Sequence, residues 1–208
     1  PPAQHFRSRS MAPAILWRDI IRIYQDPGLP WLFTTAFLIM GAFVSIYNYL
    51  GFRLSAAPYD LGPAAIGAVF LLYAVGSASS ALAGHLVDRY GRSPVMQVMV
   101  VAMAIGVLVT LDSHLGVIIF GLALFTFGYF ATHAIASGWV GFRAGERRGL
   151  VSALYLSSYY LGSSFLGSTS GPLWTHYAWP GMVAGLMLCV SLVFGIALYL
   201  TRLERSGR

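Results

Sequence analysis

The sequence predicts an all-α membrane protein, a bundle of six spanning helices, and three observations carry that expectation. Only 10 % of the 208 residues are charged and 57 % are apolar, whereas a soluble domain carries roughly 25 % charged residues. The apolar residues gather in six runs, each near the ~20 residues that cross a bilayer. The charges sit in short stretches between those runs, most densely in Gly84-His85-Leu86-Val87-Asp88-Arg89-Tyr90-Gly91-Arg92.

Composition excludes several classes. The net charge of +6 and the pI near 9.7 suit nucleic acid at first sight. However, all thirteen basic residues are arginines scattered through loops, with no basic stripe or reader motif. They read as topology signals, and no nucleic-acid partner is expected. Cys189 is the single cysteine and lies in an apolar run, so no disulfide or cysteine metal site can form within the chain. No metal or cofactor is expected. The chain starts Pro1-Pro2-Ala3-Gln4 without methionine, and its first apolar run is too long for a signal peptide. The start reads as the middle of a longer protein.

Residues 1–30 are polar and basic and read as a cytoplasmic linker. Within it, residues 14–25 fit a short amphipathic helix, with Leu16, Trp17, Ile20, Ile21 and Tyr24 on one face. Packing on the membrane surface and packing on protein both suit it. Asp26-Pro27-Gly28 stops it. The six-helix bundle occupies residues 31–201, with spans at 31–54, 62–87, 93–111, 115–139, 149–173 and 179–201, and a cytoplasmic tail follows at 202–208. Arginine sets the orientation. The first tail holds four, the 84–92 segment two, the loop Arg143/Arg147/Arg148 three and the last tail three, against Arg53 alone on the other side. The positive-inside rule then places both termini in the cytoplasm.

The six spans divide into three plus three. A shift of 87 residues superposes Gly41 on Gly128, Phe43 on Phe130, Tyr73 on Tyr160 and Ser77 on Ser164. An odd number of spans per repeat makes the two repeats inverted, as in many secondary transporters.

Polar side chains choose the helices that face an interior. Spans three and six are nearly pure hydrocarbon and should face lipid. Span one carries Ser45 and Asn48, span two the stripe Tyr73, Ser77, Ser80 and Gly84. Span four carries Thr126, Tyr129, His133 and Ser137, and span five carries Ser152, Tyr155, Tyr159 and Ser163. Asn48, Tyr73, Ser77, Tyr129, His133, Ser137, Tyr155 and Tyr159 are therefore the candidate substrate-pathway residues. Ordinary helix packing also accounts for the small residues, and for Asn48 a helix-to-helix hydrogen bond fits as well as a substrate contact. His133 is the one acid or base of near-neutral reference pKa deep in a span; it suits proton carriage or a neutral imidazole bonded to a hydroxyl. Arg53, at the outer end of span one, suits snorkelling to the headgroups better than anion capture.

Gly84-x-x-x-Asp88-Arg89-x-Gly91-Arg92, between spans two and three, resembles the signature of the major facilitator superfamily. Arg143-Ala144-Gly145-Glu146-Arg147-Arg148-Gly149 resembles that family's basic loop between helices ten and eleven. Tyr47–Leu54, Thr132–Gly141 and Ser157–Ser164 are similar to segments of YnfM-type bacterial inner-membrane transporters, a group described as efflux-like. The resemblance implies the C-terminal half of the fold, helices seven to twelve, with a missing N-terminal six-helix half as partner. It implies secondary active transport of a small organic molecule by alternating access, with proton-coupled efflux or antiport across the bacterial inner membrane. It gives Gly84, Asp88, Arg89, Gly91 and Arg92 a gating role: Asp88 would pair with Arg92 or face the positive N-terminus of the helix near Gly149, as a latch. Two other readings stand beside it. One is a non-transporting membrane fragment or assembly partner. The other is an intramembrane hydrolase built on Gly167-Ser168-Thr169-Ser170-Gly171, which lacks a histidine in the last span.

Overall fold

The computed structural model describes residues 13–206, and these are helical with no strand. A short helix, α1 (Pro13–Tyr24), precedes α2 (Leu29–Ser55). The second span is broken into α3 (Pro63–Ala68), a 3-10 turn (Val69–Leu72) and α4 (Tyr73–Tyr90). Then come α5 (Arg92–Val109), α6 (Leu115–Arg143), α7 (Arg148–Thr169) and α8 (Gly171–Ser206). The expected gap between spans five and six is a kink inside α8, at Ala178 with φ 50 and Pro180 just beyond. Residues 1–12 of the expected linker and the last two of the expected tail lie outside the described residues.

Local chemistry explains the boundaries. The Asp26 carboxylate accepts the backbone N–H groups of Gly28 and Leu29, both at 2.8 Å, and so caps the start of α2. Pro30 then sits in the first turn, where its missing N–H costs nothing. Between α4 and α5 the chain turns on one residue, Gly91, at φ 86, a conformation that strains any residue with a Cβ.

Five helices are long and apolar enough to cross a membrane; α7 is not among them by composition. The sequence places a span there, and the reason for the shortfall is its load of serine and tyrosine. Its 22 residues nonetheless reach about 33 Å at 1.5 Å each. It starts beside the Arg147–Asp19 contact and ends at Thr169, just before Gly171, which lies against the Tyr49 hydroxyl at the opposite end of the bundle.

The packing repeats itself. α2, first of its triplet, packs mainly on α7 and α8, the second and third of the other. α6, first of its triplet, packs mainly on α4 and α5. The contacts α2–α6 and α5–α8 map onto themselves. That reciprocity is the signature of two inverted three-helix repeats about a pseudo-two-fold axis.

Small residues let these helices meet closely, as the apolar solvent supplies no hydrophobic drive between them. On α5 and α6, a Cβ at Gly106 would lie 2.4 Å from the Phe125 nitrogen, and one at Gly128 would lie 2.5 Å from the Met99 oxygen. α5 turns Met96, Met99, Met103 and Val107 inward and leaves Val98, Val101, Ile105 and Leu108 outside. α8 likewise exposes Leu188 and Leu192. The polar residues at the ends of these two helices are clamps. Ser93 donates to the Glu204 carboxylate, Gln97 Nε2 donates to Thr201 Oγ1 at 2.7 Å, and Trp179 Nε1 donates to the Thr110 carbonyl at 3.0 Å.

Arg53 is engaged within the bundle. Its guanidinium donates to the carbonyls of Thr110 and Asp112 and lies over the Trp179 ring at 5.0 Å. It ties α2 to the α5–α6 loop and to the start of α8. Lysine offers no planar fork to bridge two carbonyls. Arg53→Lys is therefore expected to lower stability by about 1–2 kcal/mol, read as a lower thermal midpoint in detergent. An unchanged midpoint would mean the clamp carries nothing.

Candidate functional site: an aromatic cleft around His133

α2 and α6 form the floor of a cleft whose walls are α4 and α7. Two close crossings hold the walls in place. Gly76 of α4 is pressed on the Phe130 ring, where an added Cβ would lie 2.3 Å away, and Ser80 Oγ donates to the Phe130 carbonyl at 3.3 Å. On the other side Gly162 of α7 meets the Phe37 backbone, and Ser45 Oγ donates to the Leu166 carbonyl at 3.2 Å.

Between these crossings the side chains are aromatic. Phe43 stacks on Tyr129 at 4.0 Å between centroids and meets Phe130 edge-on at 5.8 Å. Tyr47 joins Phe43, Phe70 and Tyr73 at 4.8, 5.4 and 5.3 Å and hydrogen-bonds Thr126 Oγ1 at 2.8 Å. The His133 ring lies 4.8 Å from Tyr159, and its Nδ1 is 3.1 Å from the Tyr155 hydroxyl. The hydroxyls of Tyr129 and Tyr159 are 2.7 Å apart, and Tyr129 also reaches Met40 Sδ at 3.1 Å. Tyr129 and Tyr155 are buried, Tyr159 and His133 half-buried, and Tyr73 is exposed. Asp19 lies within α1, and the other six acidic residues lie at helix ends or in loops, so none is among the residues that line the cleft.

Of the eight pathway residues expected from sequence, Tyr73, Tyr129, His133, Tyr155 and Tyr159 come together in this cluster. Ser137 is exposed one turn beyond His133. Ser77 is exposed and donates to the Tyr73 carbonyl of its own helix at 3.2 Å. Asn48 stands apart: it is exposed, and its side chain bonds to no described residue. Phe43, Tyr47, Met40 and Phe130 were not singled out for this role. One sequence signal does point to them. Phe43 and Phe130 superpose under the 87-residue shift, and equivalent residues touch each other only near the axis that relates them.

The 84–92 segment lies at the arginine-rich end. Gly84 has open space around it, so no backbone approaches it within the chain. Asp88 is exposed and makes no ion pair with a described residue. It borders a groove of about 240 Å³ with Ser80, Gly84 and Arg92 against Ala134, Ile135 and Gly138 of α6. The N-terminus of α7 near Gly149 is not its neighbour there. Arg92 is drawn to the Phe142 ring at 4.2 Å, and Arg89 lies over Tyr90 at 5.2 Å. The expected Asp88–Arg92 pair is therefore absent among the described residues.

The basic loop has a different role from the one expected of a loop alone. Arg143 makes a two-point ion pair with Asp26, Nε to Oδ1 at 2.9 Å and Nη2 to Oδ2 at 3.1 Å. Arg147 Nε faces Asp19 Oδ1 at 3.5 Å, while Arg148 and Gly149 are exposed. These pairs dock α1 on the bundle through Asp19 and Ile23, its two buried residues. Of the apolar face Leu16, Trp17, Ile20, Ile21 and Tyr24, Ile20 is partly buried and the other four stay exposed, so the contact with the bundle is not made by that face. Burial alone would raise the Asp26 carboxyl, but Arg143 and the N–H groups of Gly28 and Leu29 outweigh it and hold it below the ordinary carboxylate value. A depressed folded-state pKa stabilises docking above the unfolded value and is lost as pH falls through the folded one. Docking is thus complete at neutral pH and weakens below about pH 4. Asp26→Asn at neutral pH is expected to mimic acidification, with several-fold faster tryptic cleavage after Arg22. An unchanged rate would show that Asp19 and Ile23 hold α1 without the Asp26–Arg143 pair.

A six-helix bundle whose acid-free aromatic cleft lies between two separated arms defines half of a transporter-type membrane fold. Residues 32–208 match the Major Facilitator Superfamily, and the chain belongs to that family. It is 43 % identical over 201 residues to the inner membrane transport protein YnfM of Escherichia coli, covering 96 % of this chain and 48 % of that protein. It is 36 % identical over 202 residues to an uncharacterized MFS-type transporter, YybF, of Bacillus subtilis, covering 97 % and 50 %. An uncharacterized transporter of Buchnera aphidicola is 38 % identical over 176 residues, covering 85 % and 42 %. The chain spans about half the length of the curated relatives it matches. It is a multi-pass membrane protein of a transporter family, not an enzyme. Geometry also argues against the hydrolase reading: Tyr155, which holds His133, lies 13 residues before Ser168 on the same helix, about 20 Å along its axis.

Proposed function

We propose that this chain forms the C-terminal half of a secondary transporter that moves a small organic molecule across the bacterial inner membrane by alternating access. Residues 1–30 serve as the cytoplasmic linker from the missing N-terminal half, and residues 202–208 as a cytoplasmic tail. Nine of the ten described arginines gather at one end of the bundle and Arg53 alone at the other, which supports cytoplasmic termini. The observation that carries the reading is the cleft itself. Its aromatic walls are held by glycine crossings yet stand apart, which suits a substrate site completed by a second half. The exposed Gly84–Asp88 groove suits a latch, with its partner on that second half.

Proton-coupled efflux is the mode we assign, with His133 as carrier. The groups that face it are Tyr155 and Tyr159 of α7 and Tyr129 of its own helix, all uncharged phenols. Protonation is therefore unopposed by a neighbouring cation and unaided by an acid. The test uses the full-length protein in proteoliposomes with an internal pH dye and a panel of small organic acids, bases and neutral solutes. At least one solute should drive proton movement, and His133→Gln should abolish proton movement with any solute whose exchange survives the substitution. Solute exchange with no proton movement in the wild type would overturn coupling. No exchange of any solute would overturn transport.

A further inference from the structure

We propose that the cleft takes a planar aromatic acid, its ring against Tyr73 and its carboxylate on the Nε2–H of His133 and the hydroxyl of Tyr159. This rests on the transport reading and narrows its substrate class.

The hydrogen-bond polarity of the cluster carries the argument. The Tyr155 hydroxyl is buried, and His133 Nδ1, at 3.1 Å, is its one polar partner among the described residues. A buried phenol with one acceptor in reach donates to it, because a withheld proton would go unsatisfied. Nδ1 therefore accepts, and the neutral ring carries its proton on Nε2. Nε2 bonds to no described residue and is not sealed in the interior. It presents a donor to the cleft.

The second donor comes from a hydroxyl pair. Tyr129, 2 % exposed, has one proton and two acceptors, Tyr159 Oη at 2.7 Å and Met40 Sδ at 3.1 Å. With Tyr159 donating to it, Tyr129 donates to Met40 Sδ; a thioether accepts weakly, so a stronger acceptor in the cleft draws the Tyr159 proton and turns the Tyr129 proton to Tyr159. Tyr159 is half-buried, which leaves its hydroxyl open to such an acceptor. Two donors thus converge from α6 and α7, and the His133 and Tyr159 rings that bear them lie 4.8 Å apart.

No carboxylate among the described residues answers them, so on this side of the cleft the matching group is left to the ligand. A cation would meet two donors and no counter-charge. A carboxylate meets both donors, which suits its paired oxygens. The remaining surface is flat. Tyr73, exposed, meets the half-buried Phe130 at 5.9 Å; Gly76 covers part of the Phe130 ring, so the exposed part of the Tyr73 ring is the flat surface left open. Such a surface holds a planar ring by offset stacking.

The test is calorimetric titration of the full-length protein in lipid nanodiscs with benzoate, benzylamine and cyclohexanecarboxylate. These probes vary the charge and the planarity separately. Benzoate should bind at least tenfold tighter than either of the others. Tyr159→Phe, which removes one oxygen from an otherwise unchanged ring, should weaken benzoate about tenfold. Tighter binding of benzylamine would overturn the class in favour of a cation held by ring faces. Equal binding of cyclohexanecarboxylate would overturn the planar element, and no benzoate binding would overturn the whole proposal. The titration is independent of flux. Transport of other solutes without benzoate binding leaves the transport reading standing and removes this one. Benzoate binding without flux does the reverse.

Discussion

Gly162→Leu is expected to abolish accumulation of the folded protein in the membrane. Gly162 is where α7 crosses α2. A Cβ there would lie 2.0 Å from the Phe37 carbonyl oxygen, 2.6 Å from its carbon and 2.7 Å from its Cα. All three are backbone atoms of a helix, so no rotamer change relieves the clash. Overpacking costs about 1–3 kcal/mol where side chains can adjust, and more where backbones must part. Here the parting would also break the Ser45–Leu166 hydrogen bond. Since the lipid is as apolar as the helices, nothing but close packing and such bonds replaces what is lost. Gly195→Ala, on α8 with open space around it, is the control and should match the wild type. Size-exclusion profiles of detergent extracts would decide: a monodisperse Gly162→Leu with a wild-type thermal midpoint would rule out this crossing.

Much of the architecture was legible because membrane chemistry writes it into composition. The spans follow from length and apolarity, and the repeat from the 87-residue shift. What was not legible shares one cause. A polar residue reveals the face it sits on, but not the depth at which that face meets a neighbour. Asn48 and His133 are equally conspicuous as polar residues in spans. One is exposed without a partner, and the other lies among three tyrosines. Phe43 and Phe130 were hidden for the complementary reason: an aromatic residue in an apolar run looks the same whether it faces lipid or a cleft. The break at Val69–Leu72 carries no glycine or proline, so no local signal marks it. Arg53 looked like a snorkelling residue because its carbonyl acceptors lie on a loop 57 and 59 residues away. For Asp88 the motif names a carboxylate but no partner: it is exposed beside an open groove and pairs with no described residue.

The second large effect is expected at Phe43, the residue that joins the repeat to the cleft. Its ring is 5 % exposed and is stacked on Tyr129 at 4.0 Å. Phe→Ala in a soluble core costs about 3–5 kcal/mol, part of it transfer from water and part the cavity. In a bilayer the transfer part shrinks, which leaves roughly 2–3 kcal/mol from lost contacts. Phe43→Ala should therefore lower the thermal midpoint markedly. It should also weaken ligand binding, because Tyr129 loses the flat support that holds its hydroxyl against Tyr159. Phe43→Leu separates the two effects. Leucine restores most of the volume, so stability should largely return, but it offers no face to stack on, so benzoate affinity should not. Phe43 reaches the ligand site through the Tyr129–Tyr159 bond and through its own ring contacts with Tyr73 and Phe130. If Phe43→Leu matched the wild type in both melting and titration, Phe43 would be filler, and the donor set of the cleft would have to be fixed by α6 and α7 alone.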